Sequence, residues 1–96
     1  MLIIDFAKLE DFKEYRVFDP HSKYINPELI KRKIKGKEII IAKDNDNIIG
    51  LLRFNYIWST RPYIEYIFVK KEKRGLGIGK QLLKFLEEYL IDSIYA

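Results

Sequence analysis

Three glycines at alternate positions, Gly75, Gly77 and Gly79, stand among basic residues in the stretch KRGLGIGK, Lys73 to Lys80. Glycine loses more backbone freedom on folding than any other residue, so such a run costs stability unless the fold needs a bare or left-handed backbone there. Before it comes a β-rich run, YIEYIFV (Tyr63 to Val69); after it, Ile78, Leu82, Leu83, Leu86 and Leu90 mark one face of a helix. Whatever fold the chain takes must accommodate a strand that passes through this bare turn into an amphipathic helix. The first amides of a helix lack intrahelical acceptors and carry the positive end of its dipole, so the junction suits an anion. The simpler reading is a tight strand-to-helix connection with solvated basic side chains.

The remaining punctuation gives the layout. LIIDFA (Leu2 to Ala7) reads as a short strand, followed by Leu9, Phe12, Tyr15 and Phe18 at near-helical spacing. Asn26 is a good N-cap, Pro27 fits the first helical position, Glu28 suits the positive helix start and Gly36 can close the end. EIIIAKD then reads as a strand, NDN (Asn45 to Asn47) as a hairpin turn and IIGLLRFNYIW as the returning strand. STRP makes the next turn, and YIEYIFV, apolar on both faces except at Glu65, predicts a strand in the centre of the sheet.

A chain of 96 residues makes one domain, 1–96, and 48% apolar residues suit a packed globule rather than a disordered chain. With no cysteine, disulfides, thiolate metal sites and a cysteine nucleophile are excluded. No apolar run approaches the roughly 20 residues of a membrane span, and the N-terminus turns acidic too soon for a secretory signal. These features predict a soluble, cytoplasmic protein with no membrane partner. The net charge of +4 favours anionic partners but is modest, and no nucleic-acid recognition motif is present. The basic run Lys31, Arg32, Lys33, Lys35 and Lys37 reads as a solvated helix face, with binding of nucleic acid or a phosphate as the alternative. His21, the sole histidine, reads as a surface residue rather than a metal ligand, and no metal is expected.

Two familiar phosphate loops fail on single residues. A Walker A loop requires glycine at Arg74 and Ser or Thr at Gln81. A dinucleotide fingerprint requires its third glycine at Lys80 and a parallel βαβ unit, which this hairpin-rich chain lacks. What fits is Arg-x-x-Gly-x-Gly at Arg74, Gly77 and Gly79, between the strand IEYIFV and the helix KQLLKFLEEYL. This strand, loop and helix resemble the acyl-CoA-binding motif of the GNAT superfamily of N-acyltransferases, and the resemblance extends to the element order of nearly the whole chain.

The resemblance implies an α/β (α+β) fold: a mixed, mainly antiparallel twisted sheet with flanking helices, in the order β-α-α-β-β-β-α. It implies acetyl-CoA as co-substrate and a primary amine as acceptor. The pyrophosphate of coenzyme A would lie on Arg74, Gly75, Leu76, Gly77, Ile78, Gly79 and Lys80, and the pantetheine arm along Ile67, Phe68 and Val69. The amide of Val69 or its neighbour would be the oxyanion donor. Glu65 stands where several members carry the carboxylate that receives the amine's proton; as a base near neutrality it would need a pKa raised above the usual value of about 4.3. The alternative for Glu65 is a rim carboxylate paired with Arg53 or Arg61 across the hairpin. Tyr56, Trp58 and Tyr63 flank the STRP turn and could line an acceptor pocket or form strand pairs.

The family pattern continues beyond this helix with a further strand, a helix and usually a hairpin, whereas this chain stops at IDSIYA. The resemblance therefore assigns no general acid, and Tyr95 is only a weak candidate. An unpaired sheet edge would favour a homodimer. The resemblance therefore implies a single but partial domain over 1–96, and two functions stay open: an N-acetyltransferase, or a non-catalytic acyl-CoA-binding or partner-binding module derived from a truncated GNAT domain.

Overall fold

The computed structural model describes residues 1–57 and 61–95. Strand β1 (Leu2–Phe6) leads through a single 3-10 turn, Leu9–Asp11, into helix α1 (Phe12–Phe18), and helix α2 (Pro27–Lys35) follows. Strands β2 (Ile39–Asp44), β3 (Asn47–Ile57) and β4 (Arg61–Val69) form successive antiparallel pairs, and helix α3 (Ile78–Tyr95) follows. The expected order β-α-α-β-β-β-α is thus observed, in a four-stranded sheet ordered β1-β2-β3-β4.

Local chemistry explains the boundaries. Asn26 Oδ1 accepts from the Glu28 amide at 2.8 Å and Pro27 opens α2. Gly36 ends α2 with ordinary negative φ, however, and it is Lys37 that takes the left-handed conformation at φ 56°. Asn45 and Asp46, both at positive φ, form the two-residue turn whose twist matches the flanking strands.

The sheet carries a helical layer on each face. Ile39, Ile41 and Leu51 pack with Tyr15, Ile30 and Ile34 of α1 and α2. Ile40, Ala42, Leu52 and Phe54 pack with Ile78, Leu82 and Leu86 of α3. Gly50 allows α3 to sit close, because a Cβ there would meet Ile78 Cγ2 at 3.2 Å and Leu82 Cδ1 at 3.4 Å. On the first face, Asp19 is fully buried and accepts from Tyr15 Oη at 2.7 Å and Arg53 Nη1 at 2.6 Å, which ties the end of α1 to β3. Burial, and then the Asp19 carboxylate, push the Tyr15 hydroxyl far above its ordinary pKa.

The expectation of a central last strand is corrected. Among the described residues β4 pairs only with β3 and forms an edge of the sheet, with Arg61 to Glu65 exposed. Its two-faced apolar character comes from the helical layers: Tyr66 and Phe68 pack towards α1, while Ile67 and Val69 pack towards α3. A strand covered above and below reads like a central one even when one lateral edge is open.

Candidate functional site

The chain leaves β4 through one 3-10 turn, Lys71–Lys73, and enters α3 over Arg74 to Gly77. Gly75 and Gly77 have φ of +83° and +80°, a region open to glycine at little cost, so the bare backbone bends the chain into the helix. Gly79 is different. It lies in the first turn of α3 without a positive φ, and a Cβ built on it would meet nothing within 4 Å. Neither backbone conformation nor internal crowding requires glycine there.

Around these residues lies an open cleft of about 490 Å³, lined by Val69, Lys73, Arg74, Gly75, Gly77, Ile78, Gly79 and Lys80, with no carboxylate among them. The first α-helical bond of α3 runs from the Gln81 amide to the Gly77 carbonyl at 3.1 Å, so the amides of Ile78, Gly79 and Lys80 precede the helical ladder. Arg74 folds back: its Nε donates to the Val69 carbonyl at 2.9 Å and its guanidinium lies 5.5 Å from the Phe68 ring centroid. The result is a concave, cationic, amide-rich surface at a helix start.

Seven of the expected contact residues thus meet at one cleft: Val69, Arg74, Gly75, Gly77, Ile78, Gly79 and Lys80. Ile78 contributes backbone only, since its side chain is buried against β3. Leu76 projects away, 66% exposed, and the side chains of Ile67 and Phe68 pack into opposite faces of the sheet. What Ile67 and Val69 offer is main chain. The Lys70 amide donates to Ile49 O at 2.8 Å, so the strand's alternation turns the N–H groups of Ile67 and Val69 towards the open edge. Lys73 joins the cleft unforeseen, with its Nζ also 3.6 Å from Asp44 Oδ2.

Glu65 occupies a β-bulge. Arg53 pairs with Tyr66 and Phe54 with Ile64, which leaves Glu65 as the extra residue of β4. Its Oε1 accepts from Lys33 Nζ at 2.6 Å, across from α2, rather than from Arg53 or Arg61. Lys33 Nζ also lies 4.0 Å from Glu38 Oε2, and its side chain is only 14% exposed. Of the basic run on α2, Lys33 is therefore no solvated residue. Helical spacing could place it on a face, but its partner comes from a strand 32 residues away and depends on the bulge.

The tyrosines flanking the last hairpin do not converge. Tyr56 turns to the α3 side, its ring 5.6 Å from that of Phe54, where burial and then the neighbouring Tyr89 raise its pKa. Tyr63 pairs with Asn55 and is 56% exposed. Trp58 and the side chain of Tyr95 lie outside the described residues. His21 is exposed, with its ring 4.4 Å from that of Tyr66. Among the described residues no group of three or more acidic or histidine side chains is placed to hold a metal ion, and no helix is long and apolar enough to cross a membrane.

Comparison with known proteins fits this geometry. The family model described as the acetyltransferase (GNAT) family matches residues 5–96. The structure of a ribosomal-protein-alanine N-acetyltransferase from Brucella melitensis biovar Abortus 2308 superposes with a TM-score of 0.74 at 18% identity, over 96% of this chain and 73% of that one. PaiA N-acetyltransferase from Thermoplasma acidophilum, in complex with coenzyme A, gives 0.79 at 16% identity, over 97% and 74%. N-acetylglutamate synthase from Neisseria gonorrhoeae, complexed with coenzyme A and N-acetyl-glutamate, gives 0.80 at 16% identity, over 96% of this chain but 23% of that one. At these identities the likeness is one of fold. No curated protein sequence matches the chain.

Proposed function

The chain belongs to the GNAT acetyltransferase family, and from that membership we propose that it transfers an acetyl group from acetyl-CoA to a primary amine by direct attack on the thioester. One observation carries the assignment of the cofactor site: Gly79, a glycine that neither φ nor crowding requires, opens onto a cleft rimmed by Lys73, Arg74 and Lys80. A helix-start glycine with nothing beside it makes sense where a ligand's phosphate approaches the backbone. The amides of Gly75 to Lys80 would hold the pyrophosphate, with Arg74 and Lys80 adding charge.

Acetyl-CoA supplies an activated thioester, and the chain's own groups do the rest. The outward N–H groups of Ile67 and Val69 would align the pantetheine arm. The Val69 N–H is the better oxyanion donor, because the neighbouring Lys70 amide is already bonded to Ile49 O. Glu65 would take the proton of the attacking amine and pass it to solvent through its exposed side. The open edge of β4 would be covered in a homodimer, which sedimentation equilibrium would detect as a doubled mass.

A second reading, a non-catalytic acyl-CoA-binding module, is favoured by the engagement of Glu65 with Lys33. Incubation with acetyl-CoA and a panel of primary amines, with free thiol followed, separates the two. Acceptor-dependent thiol release that saturates in acetyl-CoA supports the enzyme. Coenzyme A binding by calorimetry with no such release for any amine overturns it and leaves the binding module.

A further inference from the structure

Lys33 Nζ is itself a primary amine, and it lies 2.6 Å from the carboxylate that would deprotonate an acceptor amine. We infer that Lys33 is a self-acylation site: in acetyl-CoA without acceptor, the chain acylates its own Lys33. The inference rests on the coenzyme A reading of the cleft and on Glu65 as base.

Three features single out this lysine. Its ammonium is held on the working carboxylate rather than in solvent, with the side chain 14% exposed against 40% for its neighbour Lys31. Its anchor, α2, packs on the face of the sheet to which Glu65 turns. Glu65 also stands four residues before Val69, whose N–H would hold the oxyanion, a rise of roughly 13 Å along the strand, and a four-carbon stem with a freely rotating ammonium can sweep part of that distance. In the step itself, Glu65 takes a proton from Lys33 Nζ. The neutral nitrogen forms a bond to the thioester carbonyl carbon, the carbon–sulfur bond breaks and the thiolate of coenzyme A leaves; the nitrogen gives up its second proton to that thiolate through solvent, and Glu65 passes its own proton to solvent. The product amide carries no charge, so Glu65 and Glu38 lose their shared cation and Glu65 is released to an incoming amine.

The full chain, incubated with acetyl-CoA alone, is followed by intact mass and by peptide mapping, with Lys31 as an internal measure of uncatalysed acylation. The expected result is one added acetyl group, on Lys33, at a rate that saturates in acetyl-CoA and exceeds that of Lys31 about tenfold or more. Lys33→Arg, which keeps the cation beside Glu65 but cannot be acylated in this way, should lose that product, and Glu65→Gln should slow it. Modification of Lys33 no faster than Lys31, or none at all, overturns the inference, and this holds even if amines in the panel are acetylated. Calorimetry on the same sample shows whether coenzyme A binds; if it does not, the cofactor reading falls together with the inference.

Discussion

Gly79 sits where a helix would ordinarily prefer alanine, and the surroundings leave room for one. Replacing it separates fold from ligand. Gly79→Ala should stabilise the apo-protein by about 0.5–1 kcal/mol in urea titration, while calorimetry shows weaker coenzyme A binding as the new methyl enters the cleft. Gly77→Val should behave otherwise. At φ +80° a β-branched side chain is strained by about 1–2 kcal/mol, so stability and coenzyme A affinity fall together. Glu65→Gln should leave coenzyme A affinity unchanged and reduce amine-dependent turnover by about 10²–10⁴-fold, the usual contribution of a positioned base; undiminished turnover would make Glu65 a rim carboxylate. The sequence announced the glycines with Arg74 and Lys80 beside them, because spacing along one short stretch is a local property. It did not announce the Lys33–Glu65 pair, which exists only because one residue of β4 bulges towards a helix from earlier in the chain.

Helix α1 is held to the sheet by a charge pair rather than by apolar contact alone. Asp19→Ala would leave Arg53 buried without its counter-ion and should cost about 3–5 kcal/mol, read as a lowered urea midpoint. The same cluster predicts an alkaline weakness. The buried Tyr15 hydroxyl titrates higher in the folded chain than in the unfolded one, chiefly through desolvation. The unfolded state therefore releases the proton first: the contribution of this group to stability is constant below pH of about 10 and declines as pH rises above it. Tyr15→Phe should flatten that decline in a pH series of thermal melts. At this scale caps and turns were legible, since Asn26, Pro27 and the Asn45–Asp46 pair act through their own backbone. The lateral place of β4 was not. Residue pattern reports what lies above and below a strand, and here both faces are covered by helices.

Across the whole molecule, two helical layers enclose a sheet whose glycine-rich end faces outward. A ligand in the cleft would bridge β4 and α3, and binding selective for the folded state adds directly to its stability. Coenzyme A at a hundred times its dissociation constant contributes about 2.7 kcal/mol. For a domain of this size that raises the melting temperature by about 10 °C or more. Differential scanning fluorimetry checks it, and added salt should shrink the shift as phosphate contacts to Lys73, Arg74 and Lys80 are screened. The fold class was legible because the order of elements, the hairpin turn and the helix caps all agree on one arrangement. The bulge at Glu65 has a consequence for how the two ends of β4 can vary. Tyr66 and Tyr63 face the same layer although they are three positions apart, so the strand changes its parity at this point. The half that meets the glycine-rich loop and the half that leads to the last hairpin therefore answer to different neighbours at each step. Substitutions upstream of Glu65 can reshape the exposed surface of the strand while the downstream half, which supports the cleft, keeps its register.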